Sequence, residues 1–349
     1  VMKEINKLTE GSILKSLVTL AVPIIFANIL QTAYQLTDTF WVGRLGDVAV
    51  AAVSVSFPII FFIISLGGGL AMAGTILVAQ YKGRNNKKEV DHTTSQTFLV
   101  VTIISIILAI IGYFFSSYFV GLMGVEKAVF YSASAYLKIS FIGMVFVFSF
   151  MVFQSLMRGV GDVKTPMYIV LGTVLLNLLL DPIFIFGYKA IPAYGVSGAA
   201  MATVGTQGIA AIIGIGLLLK GRYHIKLNLN DLKPDYSPIK KMFKIGLPTS
   251  IEQSTRALGI AAITFLVASF GTLIIAAYGI GIRILSFIII PAVGLSMATS
   301  TLVGQNIGAG KIKRAERIVK LSSAIGFIVL TIIGVIVFIF AQQISAIFI

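Results

Sequence analysis

Residues 167–188 read Met-Tyr-Ile-Val-Leu-Gly-Thr-Val-Leu-Leu-Asn-Leu-Leu-Leu-Asp-Pro-Ile-Phe-Ile-Phe-Gly-Tyr, and Asp181 is the only charged side chain among them. An apolar run of this length is long enough to cross the hydrocarbon of a bilayer as a helix. A carboxylate inside such a run is costly and by default marks a functional site. Asn177 and Asp181 stand four residues apart, hence on one helix face, and Pro182 cannot donate to the carbonyl of Leu178. Two polar side chains and a freed carbonyl therefore meet at one place in an otherwise apolar segment.

The rest of the chain has the same character. Hydrophobic residues make up 57% of the 349 and charged residues 11%, with a mean hydropathy of +0.99, where a soluble domain carries about 25% charge. The composition is that of an integral membrane protein. There is no cysteine, so disulfides and thiolate chemistry are excluded. The two histidines, His92 and His224, are expected in polar loops, and no His/Cys/acid metal cluster can be assembled. The N-terminus lacks a cleavable signal pattern, because its first apolar run is too long and leads into a charged loop.

Nine apolar runs follow one another at 17–41, 49–78, 97–120, 133–157, 167–187, 196–219, 242–268, 273–303 and 321–340. Each is long enough to span as a helix. With the N-terminus placed inside, the inside loops collect 21 of the 27 basic residues. Arg44, Lys127 and Lys189 fall outside, Lys138 near an outer helix end, and Arg256 and Arg283 within spans. This asymmetry predicts a cytoplasmic N-terminus. The formal charge of +14 is thereby a topology signal and a contact for membrane lipid, not a nucleic-acid footprint.

Residues 15–83 align without a gap to residues 240–308 at a constant offset of 225, with 20 identities in 69 positions; roughly five are expected by chance for so apolar a composition. The matched set includes Phe62, Ile63, Ile64, Gly69, Leu70, Gln80 and Gly83 against Phe287, Ile288, Ile289, Gly294, Leu295, Gln305 and Gly308. Six spans separate the copies, so both have the same orientation. A parallel repeat about an axis along the membrane normal is one of the two architectures of secondary transporters. The expected organisation is a six-helix N-lobe over 1–219, a cytoplasmic linker over 220–241 and three spans of a C-lobe over 242–349. By the repeat, about 100 further residues and three more spans are expected to follow Ile349, and the chain alone is expected not to transport.

Depth turns the polar groups into a constellation. Asp38 lies six residues before Arg44 and Asp181 seven before Tyr188, which puts both roughly 10 Å below the outer surface. Thr203 reaches a similar depth on the sixth span, and Tyr34 is one turn from Asp38 on its face. Two carboxylates with amide and hydroxyl oxygens suit a proton or a sodium ion. The bland alternative is two unrelated polar residues that cap helices or face a wet crevice. Glu252 and Arg256, four apart on the seventh span, read as an ion pair before they read as a second cation site. Gly159-Val160-Gly161-Asp162 matches the G-x-G-D of intramembrane aspartyl proteases. Arg158 before it and Lys164-Thr165-Pro166 after it place it in a turn instead, with Arg158 and Asp162 free to pair across it.

The chain resembles the multidrug and toxic compound extrusion (MATE) exporters. The likeness is carried by Leu20-Ala21-Val22-Pro23, Tyr34-x-x-x-Asp38, Gln80-x-x-Gly83, Arg158-Gly159-Val160-Gly161-Asp162, Asn177-x-x-x-Asp181-Pro182 and Gly195-Val196-Ser197-Gly198-Ala199-Ala200. It implies an all-α polytopic fold of twelve spans in two parallel-repeat lobes, nine of them present here. It also implies export of cationic amphiphilic, drug-like compounds against H⁺ or Na⁺, with no other cofactor, no catalytic residue and a monomeric state. Asp38, Asn177, Asp181, Thr203 and Tyr34 are then the cation or proton site. Gln31 and Gln154 are expected to face the substrate cleft by the same likeness, joined by Glu252, Arg256 and Arg283. The alternative within the superfamily is a lipid-linked oligosaccharide flippase, which would line its cleft with several basic residues; only Arg256 and Arg283 are available.

Overall fold

The computed structural model describes residues 8–268, 270 and 272–346. Nine long helices run through them: α1 (Ile13–Gly43), α2 (Asp47–Gly83), α3 (Lys87–Leu122), α4 (Lys127–Val160), α5 (Lys164–Phe186), α6 (Val196–Leu219), α7 (Tyr236–Ala268), α8 (Thr272–Gly308) and α9 (Ile312–Ile339), followed by a short α10 (Ala341–Ala346). The protein is all-helical and polytopic. Among the described residues the only β-contact is an isolated bridge between Tyr188 and Ile191, as expected where the backbone must satisfy its own hydrogen bonds in lipid. Eight of the nine helices are long and apolar enough over those residues to cross a membrane. The exception is α7, which bears Lys240, Lys241, Lys244, Glu252 and Arg256.

Several helices extend beyond their apolar runs into polar ends, and two of these starts are capped by side chains. Asn86 accepts from the Glu89 amide at 3.2 Å to start α3, and Ser12 accepts from the Lys15 amide at 3.4 Å to start α1. At 37 residues, α2 measures about 55 Å, so it tilts or projects beyond the hydrocarbon.

The largest core forms around α4, whose Leu137, Phe141, Met144, Phe148, Phe153 and Leu156 are all buried. α4 packs on α2, α3 and α6. Two of its rings sit where neighbouring helices carry no side chain: a Cβ on Gly112 would run into Phe141, and one on Gly67 into Phe148. Absent residues, not extra ones, let these helices approach closely.

The repeat is visible in the helix bounds. α2 and α8 are each 37 residues and start and end at the same offset of 225, and α3 and α9 start at that offset as well. The copies pack reciprocally, α1 on α8, α7 on α2, and α2 on α8. A Cβ on Gly83 would strike the Gln305 carbonyl, and one on Gly308 the equivalent Gln80 carbonyl. Likewise Gly69 lies against Gly246 and Ser250, and its counterpart Gly294 against Ile25, the counterpart of Ser250. A two-lobe arrangement is consistent with this packing. All these approaches lie in the second halves of α2 and α8, toward the end of the bundle that carries the basic turns after Gly83 and Gly308. That end is called the basic end below.

Candidate acid site between α1, α5 and α6

Toward the opposite end, α1, α5 and α6 bring together the residues that the sequence singled out. Asn177 and Asp181 are fully buried on α5, and the Asn177 amide donates to Asp181 Oδ1 at 2.9 Å. The four-residue spacing on one helix produces this bond directly. Asp38 comes from α1 and accepts at Oδ2 from the Thr203 hydroxyl of α6 at 3.1 Å. Asp38 is also an immediate neighbour of Asp181 and Asn177. Tyr34 is buried. Its hydroxyl shares a 2.6 Å hydrogen bond with the Thr206 hydroxyl and reaches the Thr203 carbonyl at 3.5 Å.

Three oxygens in this cluster, Asp38 Oδ1, Asp181 Oδ2 and Asn177 Oδ1, are buried with no hydrogen-bond partner. Buried polar atoms are satisfied in the large majority of cases, so three orphan acceptors side by side call for an explanation. All three are acceptors, and no cationic side chain takes part in the hydrogen bonds of the cluster. Acceptors so placed can be satisfied by a proton, a water molecule or a small cation with a preference for oxygen. Among the described residues no group of three His, Cys, Asp or Glu side chains is placed to hold a multivalent metal.

Two members escaped the sequence reading. Thr206 is one turn beyond Thr203 on α6, and its hydroxyl also bonds the Ala202 and Thr203 carbonyls at 3.0 Å; its spacing from Thr203 was a usable signal. Tyr136 on α4 is an electrostatic neighbour of both Asp38 and Asp181. It packs against the cluster of Val42, Ala49, Ile185 and Ala199, a contact between distant spans that no local pattern announces. Trp41 meets Phe186 edge-on at 6.2 Å, so aromatic rings flank the acid pair.

The remaining residues lie elsewhere. Gln31 and Gln154 are half-buried on α1 and α4, and neither is a partner in the hydrogen bonds of the cluster. Glu252 and Arg256 form the expected ion pair at 3.3 Å, with both side chains about two-thirds exposed. Arg283 lies on α8, but its side chain falls outside the described residues. The expected pairing of Arg158 with Asp162 does not form. Arg158 donates to the Ser155 hydroxyl at 2.6 Å, while Asp162 accepts from the Lys164 and Thr165 amides at 3.1 Å and from the Thr165 hydroxyl at 2.7 Å. The carboxylate is committed to capping α5, which wins over a long side chain that must be ordered to reach it. Asp162 thus sits in a turn, as the sequence implied, and not where a protease would need it.

Comparison with known proteins agrees with this architecture. The MatE family profile matches residues 23–183 and 248–349, interrupted near the expected linker. The chain is 30% identical over 348 residues to a probable multidrug resistance protein, YoeA, of Bacillus subtilis, covering 98% of this chain and 75% of the relative. It is 28% identical over 337 residues to a probable multidrug resistance protein, NorM, of Thermotoga maritima, covering 96% and 72%. Among solved structures, an outward-facing multidrug resistance MATE transporter of the MOP superfamily superposes with a TM-score of 0.91 at 25% identity, over 99% of this chain and 76% of that one. The profile match alone spans well over half of the sequence, and the helix order, the repeat and the polar cluster fit it. The chain belongs to the MatE family of membrane efflux transporters, not to a family of enzymes.

Proposed function

We propose that this chain provides the ion site of an exporter that moves cationic, amphiphilic drug-like compounds in exchange for H⁺ or Na⁺ taken up at Asp38, Asn177, Asp181 and Thr203, with Tyr34 as support. The observation that carries the reading is the trio of orphan acceptors at Asp38, Asn177 and Asp181. Relatives named for multidrug resistance supply the substrate class. The basic end faces the cytoplasm, and the N-terminus with it, because basic residues gather in its turns. The copies then act as two lobes of a monomer that are closed on the cytoplasmic side and receive ions from outside.

Asp38 and Asp181 bind the ion between α1, α5 and α6. Asn177 fixes the Asp181 carboxylate, and Thr203 fixes that of Asp38. Binding draws α1 toward α5, which changes the cleft wall on which Gln31 and Gln154 lie. Coupling requires only that the ion favour one arrangement of α1 over the other, since a ligand shifts an equilibrium by its difference in affinity for the two states. The flippase alternative finds no support: of its two basic residues, Arg256 is paired to Glu252.

The test is efflux of a fluorescent organic cation from proteoliposomes with the pH gradient and the Na⁺ gradient collapsed in turn. Loss of uphill efflux with one of them identifies the ion. Efflux that survives the collapse of both removes the exchange mechanism. Asn177→Ala is expected to weaken the ion dependence more than substrate binding, and an unchanged ion-dependence curve takes Asn177 out of the site.

A further inference from the structure

The basic end carries a second polar system, unrelated to the acid site, that ties the two copies together by straps. The first strap is the segment before α1. The Leu8 carbonyl accepts from Asn306 at 3.2 Å, the Thr9 carbonyl from Lys311 at 3.1 Å, and the Glu10 and Gly11 carbonyls from Arg314 at 3.2 and 3.0 Å. The Glu10 carboxylate lies 3.5 Å from the same Lys311. The second strap is the segment before α7, laid along α3. The Lys226 amide donates to Asp91 at 2.8 Å and the Asn228 amide to Ser95 at 3.0 Å. Gln96 donates to the Asp231 and Lys233 carbonyls at 2.6 and 2.7 Å and accepts from the Asp235 amide at 3.0 Å.

The straps are counterparts under the repeat. Glu10 and Asp235 differ by the offset of 225, as do Ser12 and Ser237. Each strap leads into the first helix of one copy and is pinned to the α2–α3 or α8–α9 region of the other. Their cations differ. The first strap is held by lysine and arginine, permanently charged. The second, besides its hydrogen bonds to Asp91, Ser95 and Gln96, meets His92, whose Nε2 lies 3.1 Å from Asp235 and whose Nδ1 lies 3.8 Å from Asp231. The Nε2 contact is a hydrogen bond and the Nδ1 contact a longer charge contact, and a ring with a proton on both nitrogens attracts both carboxylates where a neutral one donates to only one.

We propose that the segment before α7 is a proton-responsive latch: protonated His92 grips Asp231 and Asp235 and holds the basic end closed, and loss of that proton frees α7 to part from α3. The chemistry around His92 fits. A cavity of about 630 Å³ beside it is bordered by Arg84 from α2, Lys88 and Glu89 from α3, and Lys241 from α7, so water and protons reach the ring. Lys87 pairs with Asp91 at 3.2 Å; Lys241 is a further cation near Asp235, but His92 is the one in hydrogen-bonding contact with it. The Asp235 carboxyl is held below the usual carboxylate range, first by the Ser237 amide and then by the contact with His92. It therefore stays ionised across the neutral range. Asp235 also accepts from the Ser237 amide at 3.0 Å, in the first turn of α7, so the grip acts on the helix that must move.

The chain contains no cysteine, so labels at Lys164→Cys and Lys313→Cys, exposed on opposite copies at the basic end, report its opening by spin-label distances. The measurement is made on the full chain in nanodiscs from pH 5.5 to 8.5, in an Asp38→Asn/Asp181→Asn background. Any response then comes from outside the acid site, and the result stands apart from the proposed exchange mechanism. The ratio of short to long distances is expected to fall roughly three- to fivefold as pH rises, the size of one partly exposed ion pair. His92→Gln and, separately, Asp235→Asn are expected to flatten that response. Lys311→Gln is expected to lower the short-distance population equally at every pH. The proposal is overturned if the starting protein shows no pH response, if either latch variant keeps it, or if Lys311→Gln abolishes it.

Discussion

The two copies of the repeat are alike where they touch and unlike where the chemistry lies. At the basic end Gln80-x-x-Gly83 and Gln305-x-x-Gly308 match residue for residue, and each glycine lies against the other copy's glutamine carbonyl. Toward the opposite end, Tyr34 and Asp38 of α1 correspond to Gly259 and Ile263 of α7. The helix is repeated there, but the hydroxyl and the carboxylate are not. Two backbones in contact admit few side chains, so both copies carry the same answer. A polar site in a membrane costs free energy wherever it is built, so nothing in the packing favours repeating it.

The contrast can be broken at either end. The largest effect is expected at the contact of the copies. Gly83→Val or Gly308→Val must displace a backbone carbonyl, and overpacking of a rigid contact costs about 1–3 kcal/mol or more. Lower thermal stability together with longer spin-label distances across the basic end would show it. Gly259→Ala and Gly279→Ala, which have open space around them, should leave both readouts unchanged. A tolerated valine at position 83 would mean that the contact is not specific.

A graft sharpens the comparison. Ile263→Asp should not restore exchange to an Asp38→Asn protein, because Thr203 and the Asn177–Asp181 pair stand beside α1 and not beside α7. Restored uphill efflux would show that the two copies are functionally equivalent after all. A smaller effect is expected of Thr206→Val, which removes the partner of the Tyr34 hydroxyl. A lost buried hydrogen bond is worth about 1–1.5 kcal/mol, so ion affinity should fall roughly tenfold with expression unchanged, and Tyr34→Phe should add little to it. The smallest is expected of Glu252→Gln. Its ion pair with Arg256 is about two-thirds exposed, and such pairs contribute between about 0 and 1 kcal/mol. A thermal midpoint that moved as far as in the Gly83 variant would place that pair in a different setting.

Asp235 gives a separate handle at low pH. Its carboxyl is held below the usual carboxylate range, so the folded state prefers it ionised. That preference is present above the ordinary carboxylate pKa and is lost as pH falls through the lowered value. Protection of the linker from proteolysis should therefore decline in acid as Asp235 takes up its proton, and Asp235→Asn should remove that acid-side decline.

Much of this was legible in the sequence because membrane helices announce themselves by length and because acids inside them are rare. Asp38 and Asp181 stood out as lone charges at equal depth, and Thr203 followed from counting residues. Thr206 and Tyr136 did not stand out, since a threonine and a tyrosine on a membrane helix carry no depth signal until the neighbouring helices are in place. The Arg158–Asp162 expectation failed because adjacency in a turn says nothing about which partner a carboxylate prefers, and two amides and a hydroxyl outcompeted one guanidinium. The straps were unreadable in advance: the offset of 225 links Glu10 to Asp235 only once the segments are seen to lie on equivalent helices.

The central claim, that Asp38 and Asp181 form one ion site that drives export, is tested most directly by uphill efflux in proteoliposomes of the wild-type sequence, Asp38→Asn and Asp181→Asn at matched protein levels and with the same imposed gradient. The account predicts that each substitution alone abolishes gradient-driven accumulation while substrate binding and thermal stability stay close to the starting values. Uphill transport at the unsubstituted rate by either variant would contradict it.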